Sequence, residues 1–157
     1  MTLIEDMAGI RSGTPLAEAL AARADILRLS QASHDAVLLP KEPGGLSHGL
    51  RAALAARIAR QNAQLPLAAY YDDLMRRSSD EMQPSEVSPA EQTRIAAILA
   101  HSDLLTLRPR DATRHDIEAL RAAGVEEPDI VRLAELAAFV NYQARVIRGL
   151  QALGEAQ

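Results

Sequence analysis

Tyr70-Tyr71-Asp72-Asp73 is the densest run of proton-handling groups in this sequence. A phenol can donate a proton or hold a small polar ligand, and an adjacent carboxylate can orient it. The same run also reads as one tyrosine packed in an aromatic-poor core, with both aspartates solvated. Two other places set an imidazole near a carboxylate, His101-Ser102-Asp103 and His115-Asp116. Such groups could form an acid–base pair or hold a metal. A loop separates the two histidines, however, and no His-x-x-x-His occurs, so surface histidines are the simpler reading and no metal or cofactor is expected. His48 follows Ser47 at a helix start, where a capping or solvated role competes with a ligand role. Arg108-Pro109-Arg110 forms a small basic loop that could meet an anion or simply stay solvated. Asn141 and Arg145 lie four residues apart and so share a helix face. A partly buried arginine left unpaired costs several kcal/mol. The pair therefore reads as a structural clamp onto a loop or a neighbouring subunit, with Asp116, Glu118 and Asp129 as candidate partners. A site for a substrate carboxylate is the alternative.

Helices must position all of these groups. Thr14-Pro15 starts the first clear one, with a hydroxyl cap, proline at the first helical position and Glu18 in the first turn. Its stripe is Leu16, Leu20, Ala24 and Leu27, and helical propensity continues to Leu39 with a weaker interval at Ser30 to Ser33. Pro40-Lys41-Glu42-Pro43-Gly44-Gly45 must be a loop. Ser47 caps a second helix with Leu46, Leu50, Leu54 and Ile58 on its apolar side. A turn at Asn62 precedes a restart near Pro66, running to about Met75. Arg76 through Val87 reads as an exposed connector, and Ser88-Pro89-Ala90-Glu91 as a capping box. Ile95, Leu99 and Ala96 are expected to face inward, with a loop from Leu104 to Arg110. Thr113 opens a helix that Gly124 ends. Pro128 begins the last helix, whose stripe is Ile130, Leu133, Ala137, Val140, Ala144 and Ile147. No alternating strand pattern exists. The reading is an all-α bundle of about six or seven helices, a single domain over residues 1–157 with a flexible segment over 1–13.

Composition fits this. The chain of 157 residues is 48% hydrophobic and 24% charged, but only 3% aromatic. Its core must therefore be built from Ala, Leu, Ile and Val, which suits closely packed helices. A net charge of −4 and the lack of a basic stripe with interleaved aromatics argue against nucleic-acid binding. Without cysteine, neither disulfides nor thiolate metal sites can form. Acidic residues stand where a signal peptide needs positive ones, and no apolar run approaches the ~20 residues that span a bilayer. A soluble, cytoplasmic protein with no membrane partner is the expectation.

Several residues together resemble the carboxymuconolactone decarboxylase/alkylhydroperoxidase D-like family, in particular its peroxidase-related branch. The likeness runs over about residues 40 to 153. Gly44-Gly45-Leu46-Ser47 followed by Leu50-Arg51 looks like the start of that family's first core helix, and Asn62 like the asparagine at its end. In the C-terminal part, Phe139, Asn141 and Arg145 fall at matching places on the long helix, with Ala144 where a second asparagine is frequent. Ser33, Ala36-Val37-Leu38-Leu39-Pro40 and the Tyr70-Tyr71 pair look like a cysteine-poor branch. The resemblance implies an all-α, alkylhydroperoxidase-like bundle. It also implies a redox set that is missing here: the Cys-x-x-Cys positions fall on Gln64 and Leu67, the histidine on Tyr71 and the glutamate on Ala52. A helix N-terminus makes a thiolate the attacking species on a peroxide. Neither an amide nor a leucine can form a sulfenic acid or a disulfide.

The preferred reading from this resemblance is a cysteine-free oligomeric subunit, structural or pairing with a cysteine-bearing relative. Alanine-rich helices with few aromatics leave flat apolar faces, and an obligate interface of that kind buries ~2,000 Å² or more. The alternative is an acid–base enzyme of the decarboxylase type using Tyr71, Asp72, His101 or His115, and Arg145. A third reading is small-molecule binding without chemistry.

Overall fold

A computed structural model describes residues 1–78 and 87–156. Among these, eight α-helices form and no strand does: α1 (Leu3–Met7), α2 (Pro15–Ala21), α3 (Ala24–Leu38), α4 (His48–Gln61), α5 (Leu65–Arg77), α6 (Pro89–Leu107), α7 (Arg114–Ala122) and α8 (Glu127–Glu155). The all-α expectation holds. The count exceeds six or seven because α1 is an additional helix and the segment after Thr14 divides in two. That division falls at Ala22 and Arg23, not at Ser30 to Ser33, which lie inside α3. Most of the connector expected between Arg76 and Val87 lies outside the described residues, and Arg76 and Arg77 belong to α5.

The N-terminal segment is not loose throughout. Thr2 and Glu5 form a reciprocal capping box on α1, and Ile4 is buried in the core. The Leu3 amide donates to the Gln31 side chain at 3.0 Å, and Gln151 donates to the Met7 carbonyl at 3.1 Å. Two satisfied caps and one buried isoleucine are enough to seat five residues that propensity alone would leave frayed.

The long helix α8 is the spine of the bundle. All six residues of its expected stripe are buried, and α1, α3, α4, α6 and α7 pack along it. The hairpin α4–α5 lies against it through Leu54, Ile58, Leu67 and Tyr71. Ala63 closes that hairpin with φ of 57°, and the Gln64 amide reaches back to the Ala59 carbonyl at 2.9 Å. An alanine in the left-handed region costs about 1 kcal/mol, which the flanking helices must hold in place. From α6, Ile98 and Ser102 are fully buried, whereas Ala96 is exposed. This helix also runs on through Leu104 to Leu107, where a loop was expected, and only Pro109 turns the chain.

Two polar nodes fix the loop before α4. Arg51 is buried and donates to the carbonyls of Val37, Pro43 and Leu46, each at 2.8 Å. Burial pushes its guanidinium pKa down, although three acceptors keep it satisfied. Asp129, in the first turn of α8, accepts from the Gly45 amide at 3.0 Å and from Arg132 at 2.8 Å, with Arg94 of α6 at 3.7 Å. A Cβ on residue 45 would stand 2.2 Å from the Asp129 carboxylate, so only glycine lets the loop approach so closely. No described helix is long and apolar enough to cross a membrane.

Candidate functional site

The positions where the resemblance places a redox centre are filled by packed side chains. Gln64, Leu67 and Tyr71 sit at spacings of three and four, so they share the buried face of α5, and Ala52 is buried on α4. Tyr71 donates its hydroxyl to the buried Gln143 on α8. Gln64 donates to Gln151, one turn from the end of the same helix, at 3.2 Å. Burial, and then the neighbouring Tyr70, push the Tyr71 phenol well above its ordinary pKa, against the opposing pull of Gln143. It stays a neutral hydroxyl inside a closed core.

The structure does not gather Tyr71, Asp72 and Arg145 into one site. Asp72 turns toward solvent and pairs with Arg60 of α4. Arg145 is exposed and forms no ion pair with a described residue. Gln143, which holds Tyr71, precedes Arg145 by two positions, a rotation of about 200°, so the arginine leaves the opposite side of α8. Within the chain, half of the expected clamp forms. Asn141 does bind across helices: its amide donates to Thr106 of α6 at 3.1 Å and its oxygen accepts from Asn62 at 2.9 Å. Arg145 takes no part. Its candidate partners are engaged elsewhere, Asp116 with Thr113, Glu118 with Arg114, and Asp129 with Arg94 and Arg132.

The histidine and arginine candidates also separate. Asp103 forms a two-pronged bond to Arg57 and accepts from Gln61, so it is spent on joining α6 to α4. His101 is buried at the floor of a cleft of about 240 Å³ between α6 and α7, with Arg108 and Asp116 at its edge. Burial lowers its pKa, with Asp116 opposing. His115 stands in solvent on the outside of α7, near Glu118. His48 donates to the Pro40 carbonyl at 2.9 Å, holding the same loop as Arg51. Arg108 lies 3.7 Å from Asp111 and remains largely exposed. Among the described residues no three His, Cys, Asp or Glu side chains come close enough together to hold a metal ion.

Sequence reasoning passed over His34. All four aromatic side chains of the chain gather around it: Tyr70, Tyr71 and Phe139 lie with ring centroids 6.0–6.2 Å away, and Tyr142 packs on Phe139. Its Nδ1 faces Asp35 at 3.0 Å, and that hydrogen bond is the main reason the Asp35 carboxyl titrates below the usual carboxylate range. A histidine with a carboxylate on one nitrogen is the arrangement of a general base. Here the other nitrogen, Nε2, is buried without a hydrogen-bond partner among the described residues, and the ring is 2% exposed. No substrate can approach it. The signal was present in the spacing, since His34 continues the buried series Leu27, Ser30, His34 and Leu38.

The open surface lies on the far side of Phe139. A groove of about 680 Å³ runs between α3 and α8, lined by Ile26, Leu29, Ser33, Ala138 and Tyr142, with Glu135 at its edge. The hydroxyls of Ser30 and Tyr142 lie 3.0 Å apart across it. Ile26, Leu29, Val131 and Tyr142 are 53%, 55%, 57% and 42% exposed, which sets four large apolar side chains in solvent on these two helices. Comparison with known proteins finds no matching family model, no matching curated protein and no matching solved structure.

Proposed function

We propose that this chain is a cysteine-free member of the carboxymuconolactone decarboxylase/alkylhydroperoxidase D-like family that acts by assembling and has no thiol peroxidase activity. The observation that carries this reading is the contrast between two surfaces. At the positions that the family's redox set would occupy, Leu67 and Tyr71 are fully buried and the tyrosine hydroxyl is spent on Gln143. Along α3 and α8, by contrast, large apolar side chains stand in solvent. Burying such a face in a subunit contact removes apolar area from water, at about 25 cal/mol per Å². Further copies of the chain are the partners this reading favours. A cysteine-bearing relative is the partner through which the scaffold would take part in peroxide chemistry, and a cytoplasmic location fits both.

The acid–base reading loses support from the placement of its residues. Tyr71 is sealed, Asp72 is paired with Arg60, and Arg145 is exposed on the side of α8 opposite Gln143. Purified protein, freed of contaminating thiol enzymes, is expected to consume no cumene hydroperoxide above the buffer rate in the presence of a dithiol reductant. Steady turnover that scales with protein concentration would overturn the proposal. The same preparation given lactone or β-keto acid substrates is expected to be equally inert.

A further inference from the structure

The outer stripe of α8 repeats every seven residues. Val131, Glu135, Ala138, Tyr142, Arg145 and Gly149 alternate spacings of four and three, and Phe139, partly buried beside them, is the only member of the neighbouring row that reaches the groove. Five members of this stripe besides Val131 are likewise exposed. A seven-residue repeat forms a stripe that drifts only slowly around a helix, the pattern by which two helices pack along one another with a slight left-handed twist. The seam covers about 27 Å of the helix. Its two charges are opposite in sign, ten residues apart, and neither forms an ion pair with a described residue.

We propose that this seam pairs with the same seam of a second copy, the two α8 helices running antiparallel about a two-fold axis midway between Ala138 and Tyr142. That axis places each residue opposite the one whose number completes the sum of the charged pair. Glu135 of one copy then meets Arg145 of the other, and the symmetry makes the contact twice. Ala138 meets Tyr142, and Val131 meets Gly149. Each apolar layer thus sets a small residue against a large one, the alternation that lets facing helices interdigitate. A parallel pairing would instead put Glu135 against Glu135 and Arg145 against Arg145. Open space surrounds Gly149, where an added Cβ would meet no atom within 4 Å, so a neighbouring valine has room. Ile26 and Leu29 on α3 flank the seam and extend the contact to four helices. A two-fold contact must be self-complementary, and this stripe is.

The inference rests on the assembly reading and specifies its surface. The test is sedimentation velocity of the full chain and of three variants at micromolar concentration, with circular dichroism confirming that each is folded. Wild type is expected to be dimeric or larger. Glu135→Arg and Arg145→Glu alone are each expected to weaken association by about tenfold or more, since each creates two like-charge contacts. The double variant Glu135→Arg/Arg145→Glu restores both pairs and is expected to return to within about threefold of wild type. Unchanged association in both single variants would overturn this pairing while leaving assembly through another face. A monomeric wild type would overturn both, including a monomer whose groove binds one equivalent of an apolar dye such as anilinonaphthalene sulfonate.

Discussion

Replacing Asp129 with alanine is expected to destabilise the fold by about 3 kcal/mol. The carboxylate is almost fully enclosed, with 6% of its side chain exposed, and it satisfies the Gly45 amide as well as Arg132 and Arg94. Removing it leaves the Gly45 N–H without its acceptor and leaves two guanidinium groups without their shared counter-charge. The loop from Pro40 to Leu46 would lose its attachment to α8, because Arg94 alone still reaches the Gly45 carbonyl, at 2.6 Å. Arg132, 35% exposed, keeps much of its hydration, so Arg132→Ala is expected to cost about 1 kcal/mol or less. Urea unfolding followed by circular dichroism measures both. Equal losses in the two variants would show that the carboxylate is not the centre of the node.

Tyr71 separates packing from hydrogen bonding at the place where the resemblance puts a histidine. Tyr71→Ala removes the largest fully buried side chain and is expected to cost about 3–5 kcal/mol. Tyr71→Phe keeps the ring against His34 and Tyr70 but strands the Gln143 oxygen, for an expected loss of about 1–3 kcal/mol. The same unfolding experiment reads both. A Tyr71→Phe variant as stable as wild type would mean that Gln143 finds another donor and that the phenol is free to do something else.

The sequence made some of this legible for local reasons. Thr14-Pro15, Ser47 and Ser88-Pro89 start helices because each cap satisfies amides within three residues of itself, and in each case the hydroxyl accepts the expected backbone bond. The α8 stripe was legible because a helix of 29 residues repeats its inward face many times. What depended on tertiary packing was not. Ala22 and Arg23 carry no breaker, yet α2 ends there, and α3, which follows at once, packs on α8. Leu104 and Leu105 continue α6, although the charged and proline residues after them suggested a loop. At the candidate site, the spacing of Asn141 and Arg145 correctly implied one side of a helix but not how sharply burial changes across it. Asn141 lies at the inner edge of that side and Arg145 in water. His34 carried no ligand spacing, so only its place in a buried stripe could have marked it.

This chain is proposed to work as an assembled subunit. Its mass in solution, measured by light scattering across a micromolar concentration range, tests that most directly. The expected result is a single species of at least twice the 16.9 kDa of one chain, dissociating only on dilution. A constant mass of one chain throughout that range would contradict it.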